Sequence, residues 1–135
     1  KSNIYIIFII FIMEFNLQLA LFKNNDNHNK IIQNIRSFHK NSITKINSLK
    51  YDRTFFRFNI LIKNLNWISD NCKNLGFQKL SQVSKKLVNY IHKNTNNNQF
   101  YVWDYIDREI KSIIILYNNT FDHLENCEYC ISNFP

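Results

Sequence analysis

Apolar residues recur at every third or fourth position along most of this chain, which is the spacing of amphipathic helices. Four such stripes follow one another between residues 29 and 117. The second stripe has further apolar residues beside it, so we expect its helix to be central and largely buried. In chain order the stripes consist of Ile31, Ile32, Ile35, Phe38, Ile43, Ile46 and Leu49; Phe58, Leu61, Leu65, Ile68 and Cys72, with Phe55, Ile62 and Trp67 beside them; Leu80, Val83, Leu87 and Ile91; and Trp103, Ile106, Ile110, Ile113 and Tyr117.

The interruptions between the stripes indicate where the helices end. The apolar spacing is lost at residues 51–53, and residues 94–98 form a polar run that predicts a loop. Gly76 is the one glycine of the chain, and it suits the left-handed cap of a helix followed by a tight turn. With one glycine and one proline, the chain lacks the turn residues on which all-β folds depend.

These features predict an all-α protein whose 135 residues form one domain. We expect an antiparallel up-down four-helix bundle over residues 28–120, because the stripes are joined by short connections. A short N-terminal apolar helix or targeting segment is expected in residues 1–27, and a less regular tail in residues 121–135.

The apolar start of the chain allows two interpretations. Residues 4–13 have the length of a signal-peptide core, and residues 4–22 could anchor the chain in a membrane despite Glu14. In these cases the protein is secreted or membrane-anchored. Alternatively, residues 1–12 are translated upstream sequence and Met13 is the start, which implies a cytoplasmic protein.

Positive charge is concentrated in the middle of the chain. The net charge is +7, and residues 28–93 carry thirteen Lys or Arg against two acids, Asp52 and Asp70. Such a balance predicts an acidic partner, whether a protein, a nucleic acid or a membrane surface. The alternative is that these side chains form a solvated surface that keeps the protein soluble.

Residue patterns that support catalysis or metal binding are missing from the sequence. There is no nucleophile elbow, phosphate-binding loop or H-E-x-x-H motif. Cys127 and Cys130 form one C-x-x-C pair, with His123 four residues before it, but no fourth ligand follows at the usual spacing for zinc. Three cysteines are also too few for a disulfide framework. We therefore expect no enzymatic activity, cofactor, metal or small-molecule substrate.

The second and third stripes carry a more specific pattern. Asn66 is followed by Ser69, Asp70 and then the pair Leu75 and Gly76, with the third stripe directly after. This arrangement resembles the histidine-containing phosphotransfer (HPt) family over roughly residues 29–117. In that family the phosphorylated histidine lies where Asn66 stands, a lysine where Ser69 stands, and a glycine where Asp70 stands.

The resemblance implies a protein of two-component signalling, a phosphorelay bundle that has lost its acceptor. An amide cannot carry the phosphoryl group, so the expected role is that of a non-catalytic adaptor docking an acidic, receiver-like protein. The face expected to bind this partner consists of Lys63, Asn66, Asp70, Lys73, Phe77 and Lys79.

Two alternatives remain open from the sequence. The first is a basic helical protein that binds nucleic acid, in which Phe55, Phe56 or Trp67 would stack on bases, although their positions on apolar stripes favour a place in the core. The second is a small helical effector that is secreted or tethered to a membrane through residues 4–22.

Overall fold

The computed structural model describes residues 27–122 and Glu128. Within this part of the chain there are four α-helices and no strand, which confirms the all-α prediction. The expected N-terminal apolar helix or targeting segment lies outside the described residues. The helices are α1 (His28–Thr54), α2 (Phe58–Leu75), α3 (Gln78–Lys93) and α4 (Phe100–Phe121).

The four helices surround one apolar core. Each helix packs against the helix before it, and α1 also packs against α4. All the described stripe residues of the fourth helix except Trp103 are buried, as are most of those on the other three. The largest fully buried side chains include Tyr117, Phe77, Ile31, Ile35, Ile46, Leu49, Leu61, Leu65 and Ile68.

Helix α1 continues through residues 51–53, where the apolar spacing predicted a break. The reason is Asp52, a polar residue at an inward position that is only 2% exposed. Its carboxylate accepts hydrogen bonds from Ser48 Oγ at 3.1 Å and from Asn64 Nδ2 at 3.4 Å. The lost apolar spacing thus marks a buried polar contact between α1 and α2 rather than the end of a helix.

Two stripe residues lie at the surface. Ile43 is 42% exposed, and Phe55 is 60% exposed because it belongs to the turn between α1 and α2. Helix α2 has a fully buried face, as expected of a central helix, with Leu61, Leu65 and Ile68 each at 0%. Its opposite face is open to solvent, so α2 is amphipathic rather than buried all round.

The predicted turns after α2 and α3 are confirmed. Gly76 adopts φ 88° at the end of α2, and its amide donates to the carbonyl of Cys72. A residue with a Cβ atom is disfavoured in this left-handed conformation, which explains the position of the one glycine. Among the described residues, no helix combines the length and apolar character needed to cross a bilayer.

Replacing Ile46 with alanine should destabilise the protein by about 2–5 kcal/mol, because a side chain that is 1% exposed leaves a cavity. The matched control is Ile43→Ala on the same helix, which should change stability by about 0.5 kcal/mol or less. Urea denaturation of both variants measures the difference. Equal losses would contradict the orientation of α1.

Candidate functional site: a groove between α2 and α3

Helices α2 and α3 meet at two serines. Ser69 Oγ donates to the carbonyl of Ser81 at 2.9 Å, and Ser81 Oγ donates to the carbonyl of Ser69 at 2.8 Å. Both side chains are buried, and their reciprocal hydrogen bonds satisfy the polar atoms that the contact removes from water. Because both side chains are small, the two helix backbones lie close together at this point.

A groove of about 520 Å³, lined by polar and charged residues, lies along this contact. We call it the α2–α3 groove. It is lined by Ser69, Asp70, Lys73, Gln78, Ser81, Gln82 and Lys85. The Lys85 ammonium donates to Oδ1 of Asn66 at 3.1 Å, which connects the groove to the next turn of α2.

Four of the residues expected to bind a partner share one side of α2. Lys63, Asn66, Asp70 and Lys73 are spaced three, four and three residues apart, which aligns them along the helix. Asn66 is half-buried and the other three are exposed. The structure therefore brings these four side chains to one surface.

The other two expected residues lie elsewhere. Phe77 is 1% exposed and packs against Phe121, with ring centroids 5.3 Å apart, so it supports the core and presents no surface to a partner. It is buried because the turn at Gly76 directs the chain back over the end of the bundle. Lys79 lines a different groove, between α3 and α4, together with Val83 and Ile115.

Sequence reasoning did not select the α3 side of the groove. Gln78, Gln82 and Lys85 are spaced four and three residues apart, so they form one line on α3. This polar line beside the third apolar stripe was visible in the sequence. What the sequence did not show is which side of α3 turns toward α2.

The charged side chains of the groove are two lysines and one aspartate. Lys73 and Lys85 carry the positive charges of the lining, and Asp70 carries the negative one. Lys63 lies outside the lining, on the same side of α2 as Asp70 and Lys73. The groove therefore has a small excess of positive charge, and Asp70 places one hydrogen-bond acceptor beside the two ammonium groups.

The lining of the groove includes no cysteine and no histidine. Cys72 lies on the buried side of α2, and burial raises the pKa of its thiol so that it stays protonated. In the described part of the chain, no three His, Cys, Asp or Glu residues come close enough to hold a metal ion. His123, Cys127 and Cys130 lie outside it.

Comparisons of this chain with protein-family models, with curated proteins and with solved structures found no match.

Replacing Ser69 with lysine should destabilise the protein by about 3 kcal/mol or more. A long charged side chain would force the helices apart or lose its hydration between them. The control is Asp70→Lys at the neighbouring exposed position, which should change stability by about 0.5 kcal/mol or less. Equal stability of both variants in urea denaturation would contradict the buried contact between Ser69 and Ser81.

Replacing Cys72 with alanine should reduce the loss of stability at alkaline pH. In the unfolded protein the Cys72 thiol ionises at about pH 8.5. In the folded protein it keeps its proton, because burial raises its pKa. Well above this pH the folded state binds one proton more, so the free energy of unfolding falls by about 1.4 kcal/mol per pH unit through this group.

The slope is obtained from urea denaturation in reducing buffer at about pH 9, 9.5 and 10. The wild type should show the steeper decline. The ionisation of groups that do not interact with Cys72 is common to both proteins and cancels in the comparison. Parallel declines would mean that the thiol is accessible in the folded protein.

Proposed function

We propose that this protein is a non-catalytic signalling adaptor that docks an acidic, receiver-like protein on the α2–α3 groove. The role is similar to that of an HPt domain without its phosphorylated histidine. The observation that carries the proposal is the groove itself, which holds Lys73 and Lys85 around Asp70. Lys85 is bonded to Asn66, and the exposed Lys63 lies one turn before Asn66 on α2. The role also implies a cytoplasmic location.

The surroundings of Asn66 support docking rather than group transfer. Its amide oxygen accepts a hydrogen bond from Lys85, and an amide has no nitrogen lone pair comparable to that of imidazole. Asp70, one helical turn further along α2, would repel a phosphoryl group brought to this position. The site thus has the charge to bind an anionic surface without the chemistry to accept phosphate.

We also infer that the helices run up and down in antiparallel order, as in that family. The connections between them comprise residues 55–57, 76–77 and 94–99, and such short links favour antiparallel neighbours. Side-chain contacts support the same order, because residue numbers rise along one helix of each pair as they fall along the other. The paired residues are Asn66 with Lys85 and Ser69 with Ser81, and Arg53 with Asp107 and Ser42 with Tyr117.

The mode of binding follows from the exposure of the lysines. Exposed charges steer an oppositely charged partner and set the orientation of docking, whereas their individual contributions to affinity are small. Binding through this groove should therefore weaken as the salt concentration rises. It should also depend on Lys73 and Lys85 together more than on either side chain alone.

The test is capture of partners on the immobilised full-length chain from nuclease-treated lysate of its own cells at low salt. We expect mass spectrometry to identify a protein with a receiver domain that is retained by the wild type. The double variant Lys73→Glu/Lys85→Glu should lose it, because charge reversal on both sides of the groove repels an acidic surface.

Two control variants localise the effect. Lys79→Glu changes the same charge on the other side of α3, and Lys111→Glu changes it on the exposed surface of α4. Both should retain the partner. The proposal is wrong if no receiver protein is enriched, or if the groove variant retains it as well as the wild type does.

A further inference from the structure

The exposed aromatic side chains of the described residues lie at the C-terminal end of α1, in the turn that follows it, and at the N-terminal end of α4. Tyr51 is 51% exposed, Phe55 60%, Phe56 63%, Phe100 81% and Tyr101 62%. The two helix ends are joined by a contact between the rings of Phe56 and Trp103, 5.6 Å apart. Exposed apolar side chains that gather at one place indicate a binding surface rather than chance exposure.

Rings and guanidinium groups alternate on this surface, which we call the aromatic end: Tyr51, Arg53, Phe55, Phe56, Arg57 and Trp103. The ring centroids of Tyr51 and Phe55 are 4.5 Å apart, and the Arg57 guanidinium lies 5.8 Å from the Tyr51 ring. These are the distances of aromatic pairing and of cation–π contact.

Arg53 connects the two sides of the aromatic end. Its guanidinium lies 4.9 Å from the Trp103 ring and 5.7 Å from the Phe56 ring, while its Nε is 3.0 Å from Oδ1 of Asp107 on α4. This bridge orders the rings before any ligand binds. A surface that is already ordered loses less conformational entropy on binding.

The backbone at Phe56 is strained. Its φ is 56°, in the left-handed region that is unfavourable for a bulky residue and suits glycine or asparagine. In this conformation Phe56 keeps its edge-on contact with Trp103 while most of the ring stays exposed. Strain of this kind is concentrated at functional sites, because the surrounding structure must hold it in place.

We propose that the aromatic end binds single-stranded nucleic acid. Bases stack on Phe55 and Phe56, whose exposed rings accept any base because every base has a flat π face. The phosphates are neutralised by Arg57, at the start of α2, and by the exposed Lys50, one turn before the end of α1. Asp52 is buried, and the half-exposed Asp107 on α4 is paired with Arg53, so Arg57 and Lys50 are the positive charges left to a ligand.

The chemistry of the surface favours a nucleic acid over a lipid bilayer. The exposed apolar side chains at this end are aromatic apart from Ile60, which is 36% exposed, whereas Ile43 and Ile115 lie elsewhere. Insertion into lipid needs apolar area of any shape, but stacking needs rings. The alternation of rings with guanidinium groups adds the positive charge that tracks a phosphate backbone.

The experiment uses the full-length chain and fluorescein-labelled dT and U oligonucleotides of about 20 nucleotides, with binding followed by fluorescence anisotropy. The double variant Phe55→Ser/Phe56→Asn should weaken binding at least about tenfold, since each stacked base contributes about 1–3 kcal/mol. Asparagine tolerates the left-handed backbone, so the turn is retained and the melting temperature should fall little. The control Ile43→Ser/Ile115→Ser removes apolar side chains of similar exposure from other surfaces and should change affinity less than about twofold.

A second readout tests the phosphate contact. The logarithm of affinity should fall linearly with the logarithm of salt concentration, and Arg57→Gln should reduce that slope by about 0.7, the value expected for one contact to a single strand. An unchanged slope would show that Arg57 makes no phosphate contact and would contradict this part of the proposal.

Three outcomes would overturn the proposal. The first is absence of binding to either oligonucleotide at low salt, and the second is binding that Lys73→Glu/Lys85→Glu abolishes and the aromatic double variant leaves intact. The third is preference for anionic phospholipid vesicles, or ring-dependent self-association in sedimentation, without oligonucleotide binding. Failure here leaves the proposed adaptor role untouched, because the capture experiment depends on other residues.

Discussion

The close contact between Ser69 and Ser81 is the constraint from which the candidate groove arises. The two hydroxyls exchange hydrogen bonds with the opposite backbones, so a polar pair is buried without leaving unsatisfied atoms. The connection of residues 76–77 makes this contact possible, because Gly76 reverses the chain within two residues. A wider loop or larger side chains would separate the helices and remove the groove that holds Lys73 and Lys85.

The sequence predicted the helices well because apolar spacing reports burial directly. It failed at Asp52, where an inward polar residue interrupted the stripe, and at Phe55 and Phe56, where apolar residues belong to a turn. In each case a partner distant in sequence decides the outcome. Asn64 satisfies Asp52, and Trp103 supports Phe56, and neither contact can be seen in the local pattern.

The candidate site was predicted on the α2 side and missed on the α3 side. Helical spacing aligned Lys63, Asn66, Asp70 and Lys73, since one helix fixes their relative positions. Lys85 could be assigned to the site only by knowing how α3 is rotated about its own axis. That rotation is set by the serine contact, and serine has no hydrophobicity strong enough to mark it as buried in a sequence.

The reactivity of Cys72 reports on the opening of the core. Its side chain is fully buried on α2, beneath the surface that carries the groove, so a thiol reagent reaches it only when the helices separate. The rate at which Cys72 is modified in the native protein therefore measures how often this part of the bundle opens. A partner that holds α2 and α3 together would slow that reaction without touching the sulfur atom.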